Sequence, residues 1–111
     1  MLIEQVIQDY LVEHLSVPVF LEEQGVKKDP FVLVEKTSSS RTNYLDSATF
    51  AFQSYAPSMY EAAELNEQVK NTVLGMIELN YFASIKLNSD YNFTDTTTKR
   101  YRYQAVFDFK Y

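Results

Sequence analysis

The side chains able to do chemistry are few and scattered. His14 is the sole histidine, and cysteine is absent. Disulfides, thiolate nucleophiles and Cys-ligated metals are therefore excluded. A zinc site would have to come from carboxylates, and no HExxH pattern is present to start one. A lone helical histidine without a catalytic partner is expected to be structural or at the surface, near the last carbonyls of its helix. Two isolated glycines cannot build a P-loop or a GxGxxG turn, and there is no GxSxG. Asp90-Tyr91-Asn92-Phe93-Thr94-Asp95 starts like a calcium loop. Asp95 stands where the sixth-position glycine is needed, and Tyr101 where the twelfth-position glutamate is needed. That segment is expected to be a polar hairpin loop.

Three further stretches have chemical potential. Asn92-Phe93-Thr94 is a glycosylation sequon, but the start Met1-Leu2-Ile3-Glu4-Gln5 has no basic leader, so an unexported, unglycosylated chain is expected. Lys99, Arg100 and Arg102 interleave with Tyr101 and Tyr103, a mixture that can stack bases and neutralise phosphates. On a strand the tyrosines and Arg102 would face opposite ways, and the net charge is −5. Solvated strand charges or an interface ion pair are expected instead of specific nucleic-acid binding. Ser38 to Asn43 reads as a polar loop too long for a two-residue hairpin turn. Either it is a connector or it orders on a partner through Ser39, Ser40, Arg41, Thr42, Asn43 and the aromatic anchor Tyr44.

The elements that must position these groups follow from periodicity. Residues 2–15 space Leu2, Ile3, Val6, Ile7, Tyr10 and Leu11 as one face of an amphipathic helix. Pro18 stops it, and Val17 to Leu21 reads as a short edge strand, where proline is tolerated. Phe31 to Lys36 reads as a largely apolar strand, and Leu45 to Tyr55 as its antiparallel partner. On that partner Ala48, Phe50 and Phe52 oppose Ser47, Thr49 and Gln53. Ser58 with Glu61 fits a capping box opening a second helix, whose stripe is Ala62, Leu65, Val69, Val73 and Met76. Its end falls between Leu74 and Leu79, because Gly75 weakens the last turn. A strand over Tyr81 to Leu87 and a polar stretch, Asn88 to Lys99, lead to a final strand. There Tyr101, Tyr103, Ala105, Phe107, Phe109 and Tyr111 share one parity, with Phe107 and Phe109 expected in the core. Tyr101, Arg102 and Tyr111, toward the strand ends, are candidates for a subunit interface.

Hydrophobic residues make up 46% of the 111 residues, with nine Tyr, eight Phe and no Trp. That composition suits one domain with a ring-rich core and no tail or linker. No apolar run approaches the ~20 residues that span a bilayer. The element order predicts an α+β fold: a mainly antiparallel or mixed sheet of about five strands with two helices on one face. No catalytic or metal site and no cofactor is expected.

Several phrases carry a resemblance: Val17-Pro18-Val19-Phe20, Pro30-Phe31-Val32-Leu33-Val34-Glu35, Ala48-Thr49-Phe50-Ala51-Phe52-Gln53-Ser54-Tyr55 leading into helix 58–76, and the close Arg100-Tyr101-Arg102-Tyr103-Gln104-Ala105-Val106-Phe107-Asp108-Phe109. In pattern and order, over nearly the whole chain, this resembles the tail-terminator (tail-completion) proteins of long-tailed bacteriophages and prophages. The resemblance implies a non-enzymatic ring, typically sixfold, that caps the tail tube and meets the head–tail connector. It would be made in the host bacterial cytoplasm and carried in the virion neck. A head-completion or head–tail joining protein is the near alternative. A small-ligand binding domain walled by the tyrosine-rich face is the distant one.

Overall fold

The computed structural model describes residues 2–22, 30–42, 45–95, 97 and 100–111, with only the backbone at Thr42. Helix α1 spans Ile3–His14 and buries Ile3, Ile7, Tyr10 and Leu11 on its apolar face. After it, the two-residue strand β1, Val19–Phe20, runs parallel to β2, Phe31–Thr42. Pro18 has no N–H to give, yet its carbonyl accepts from Val32 N at 2.9 Å, so proline is accommodated at the sheet edge.

The serine segment is strand, not loop. β2 runs unbroken in direction through Ser38, Ser39, Ser40, Arg41 and Thr42, pairing antiparallel with β3, Leu45–Tyr55. Only Asn43 and Tyr44 separate the two strands, and both lie outside the described residues. Serine and threonine alternate with nothing apolar here, so the sequence gives no period; pairing with β3 supplies the hydrogen bonds that the segment's own side chains do not signal. One irregularity, at Thr37 between Lys36 and Ser38, adds a residue to β2. At about 3.3 Å per residue, twelve residues of β2 reach roughly 40 Å, close to the 44 Å long axis of the molecule.

Helix α2, Met59–Gly75, begins on the Ser58 cap: the Glu61 N–H donates to Ser58 Oγ at 3.2 Å, and the Ser58 hydroxyl donates to the Glu61 carboxylate at 3.1 Å. The predicted stripe is buried, with Asn66 added to it. The last turn tightens into a 3₁₀ turn over Met76–Glu78. Gly75 is where α1 comes close, since a Cβ there would stand 3.2 Å from Tyr10 Oη. That tyrosine hydroxyl donates to Glu78 at 2.9 Å.

Strand β4 is Ser84–Asn92, later and longer than Tyr81 to Leu87; Asn88 to Asn92 therefore belong to a strand, and so does the first half of the Asp90–Asp95 segment. The final strand β5 is Arg102–Lys110, leaving Tyr101 and Tyr111 just outside it. The sheet order is β1-β2-β3-β5-β4, antiparallel except for β1. The fold is thus α+β, with both helices on one face. That face holds the main core: Val32, Val34, Phe50, Phe52, Ala105, Phe107 and Phe109 beneath Ile7, Leu11, Val69 and Val73. The rings meet mostly edge to face, as in Phe50–Phe109 at 5.6 Å and Phe52–Phe107 at 5.8 Å.

Candidate assembly surface

The face without helices is not uniform. At its closed end Phe31, Leu33 and Tyr55 form a second, separate buried cluster, with Phe20 packed against it. These residues sit opposite in parity to Val32, Val34 and Ser54, so β2 and β3 bury side chains on both sides here. Phe31 and Tyr55 stack with centroids 4.5 Å apart. The Arg100 guanidinium lies over both rings, 4.6 Å from the Tyr55 centroid and 5.5 Å from that of Phe31. Arg102 lies 4.2 Å from the Phe93 centroid, donates to the Phe93 carbonyl at 2.7 Å and to Tyr55 Oη at 2.9 Å. A line of polar groups continues across three strands. Tyr55 donates to Gln53, Gln53 to Gln104 and Gln104 to Tyr91, at 3.0, 2.9 and 2.5 Å.

The cation–aromatic stretch is therefore assembled, but not from neighbours in sequence. Arg102 and Tyr103 do face opposite ways, Tyr103 being paired with Ser54 on the helix side. The rings under the arginines are Tyr55, Phe31 and Phe93, brought in by β3, β2 and the end of β4. Sequence reading missed Gln53, Tyr55, Tyr91, Phe93 and Gln104. The one available signal was Tyr55, aromatic on the polar parity of β3. Of the proposed interface residues, Arg102 is engaged within the protomer. Tyr101 is half-buried, and its carbonyl accepts from Ala56 N. Tyr111 is also half-buried, stacks on Tyr81 at 5.7 Å and exchanges backbone hydrogen bonds with Asp46.

At the open end the same face becomes small and polar. Ser38, Ser40, Ser47, Thr49, Ser84 and Lys86 border a shallow depression of about 450 Å³, with Asp108 and Lys110 also in its wall. Thr49 Oγ1 and Asn88 Nδ2 both donate to Asp108, at 2.7 and 3.0 Å. No tyrosine lines this hollow, so it is not the tyrosine-walled pocket of the ligand-binding alternative. Ser39 also borders the hollow, but the register turns its side chain and that of Arg41 to the other side. Arg41, exposed, forks onto Asp46 at 2.6 and 3.4 Å. That guanidinium holds the Asp46 carboxyl below its ordinary value, and Asp46 raises Arg41 in turn. The expected partner-binding set is thus split: Ser40 faces the hollow, Ser39 and Arg41 the opposite side, Thr42 ends the strand, and Asn43 and Tyr44 lie outside the described residues.

His14 stacks on Tyr10 at 4.0 Å, with Nδ1 2.9 Å from the Tyr10 carbonyl. Among the described residues no three acidic or imidazole groups converge as metal ligands, and no helix is long and apolar enough to cross a membrane. Comparison with protein-family models and with curated proteins returned no match.

Proposed function

We propose that this protein is a structural component of a long phage or prophage tail, a terminator that caps the tail tube as a ring and meets the head–tail connector. The observation that carries the reading is the sheet face that carries no helix among the described residues. It is long, crossed by the Tyr55–Gln53–Gln104–Tyr91 line of hydrogen bonds, and small and polar toward its open end. Such a face suits broad contact with protein more than enclosure of a small molecule, because ligand sites are concave and mostly apolar. In this reading the protein performs no catalysis, and its partners are itself, the tube protein and the connector. The acidic balance suits a ring traversed by DNA, since a repulsive lumen suppresses adsorption. A head-completion role in the same neck uses the same surfaces.

The test is direct. Purified protein is added to polymerising tail tubes, and tube length and tube ends are followed by electron microscopy. A terminator gives a distinct terminal density and halts elongation; tubes that grow at the normal rate with protein in excess rule the reading out.

A further inference from the structure

The sheet ends on two edges that complement each other. Beyond Leu33 no strand lies on the outer side of β2 among the described residues, because β1 pairs only at Val32 and Leu33. The other edge is β4 along its whole length. The pairings β2–β3, β3–β5 and β5–β4 are all antiparallel, so β2 and β4 run in opposite directions. A second copy set beside the first with the same face up would therefore present its β4 antiparallel to β2.

The two edges also match in length and irregularity. Residues 34–42 of β2 and 84–92 of β4 are equally long, and each has one extra residue, at Thr37 and at Asn88. Aligned end to end, Thr42 stands beside Ser84 and Val34 beside Asn92, and the two extra residues fall next to each other. Facing is then preserved on both sides of the irregularity. Ser40 meets Lys86 and Glu35 meets Tyr91 on the open face; Ser39 meets Leu87 and Lys36 meets Asp90 on the helix face. A slip of one residue would set every side chain against the wrong face. Opposite charges coincide at Lys36 and Asp90, a favourable cross-strand pair.

We infer that copies of this chain join head to tail, with β4 of one protomer paired antiparallel to residues 34–42 of β2 of the next in this register. The inference takes its partner, a second copy, from the ring reading above. Two different edges make a heterologous contact, which yields a ring when the rotation closes. Polar side chains and extra residues on both edges disfavour indiscriminate edge pairing, which suits copies that join when concentrated on a tube.

The chain has no native cysteine, so a full-length Ser40→Cys/Lys86→Cys variant reports the contact. Both positions are exposed, and unchanged thermal unfolding verifies the fold. Within one protomer the two lie three strand spacings apart, about 14 Å, too far for a disulfide. Oxidised on tail tubes, the double variant is expected to give dimers, trimers and higher species on non-reducing gels. Each single variant is expected to stay monomeric, and a mixture of the two singles to give dimers only. An off-register Ser40→Cys/Asn92→Cys variant is expected to cross-link at least tenfold less. Cross-linked dimers from a single variant, or a double variant that caps tubes without cross-linking, would overturn the pairing. Ladders formed while tubes keep growing would uphold the pairing and remove the terminator reading.

Discussion

The Arg102 side chain makes two hydrogen bonds and lies over two rings inside its own protomer. Its charge-assisted bonds and its cation–π contacts each contribute on the order of 1 to 2 kcal/mol, reduced by partial exposure. Arg102→Ala should therefore destabilise the monomer by about 2 kcal/mol in thermal or denaturant unfolding. A side chain reserved for a subunit interface would instead leave the monomer unchanged and weaken assembly alone. Arg41 is the contrast. Its fork onto Asp46 is solvent-exposed, so Arg41→Ala should leave the melting temperature nearly unchanged. If the tip of the β2–β3 hairpin touches the tube, the same variant should lower infectious particle yield; normal yield would make the tip a mere connector.

At the scale of elements, α2 is tied to the edge strand β4 through Asp90. Asn66 Nδ2 and Lys70 Nζ both donate to it, at 2.7 and 2.6 Å, and Glu67 holds Lys70 from the other side. Asn66 is buried, and its Oδ1 has no hydrogen-bond partner among the described residues. Asp90→Ala leaves that amide's N–H and the ammonium short of an acceptor, a loss of roughly 2 to 3 kcal/mol. The hydrogen bonds that Lys70 donates to Asp90 and Glu67 raise its pKa above the ordinary 10.5. A raised folded-state value means stability that is fully present below the unfolded pKa and is lost as pH rises through the folded one. The wild-type protein should lose the Lys70 contribution to its stability in that alkaline range, and Asp90→Ala should lose less there. Equal alkaline losses in both, measured by denaturant unfolding across pH, would refute the clamp.

For the whole molecule, the central question is whether the aromatic strand belongs to the core or to an interface. Phe107 is fully buried, against Phe52 and Phe109 beneath helix α2. Phe107→Ala should destabilise the monomer by about 3 to 5 kcal/mol, a large part of the total for a domain this size. Amide exchange checks it independently: strand β5 should be protected in the monomer, before any assembly. Fast exchange there in a folded monomer would move Phe107 to an interface.

The sequence alone determined the elements whose side chains repeat. The odd-numbered rings of β5, the alternation in β3 and the helical stripe 62–76 assigned core-facing sides correctly, because burial on one face imposes a period of 2 or 3.6 that any short window displays. Ser58 and Glu61 announced their cap for the same local reason. Only the tertiary structure decided the rest. It made strands of Ser38 to Thr42 and of Asn88 to Asn92, whose polar side chains carry no period and whose ladder partners on β3 and β5 no local pattern marks. It inserted β5 between β3 and β4, and it set β1 parallel to β2. It also gathered Phe31, Tyr55, Phe93, Arg100 and Arg102 onto one face. Strand order is a long-range fact: the β3–β5 hydrogen bonds that fix it join backbone groups tens of residues apart, and no local pattern records which strand will supply the partner.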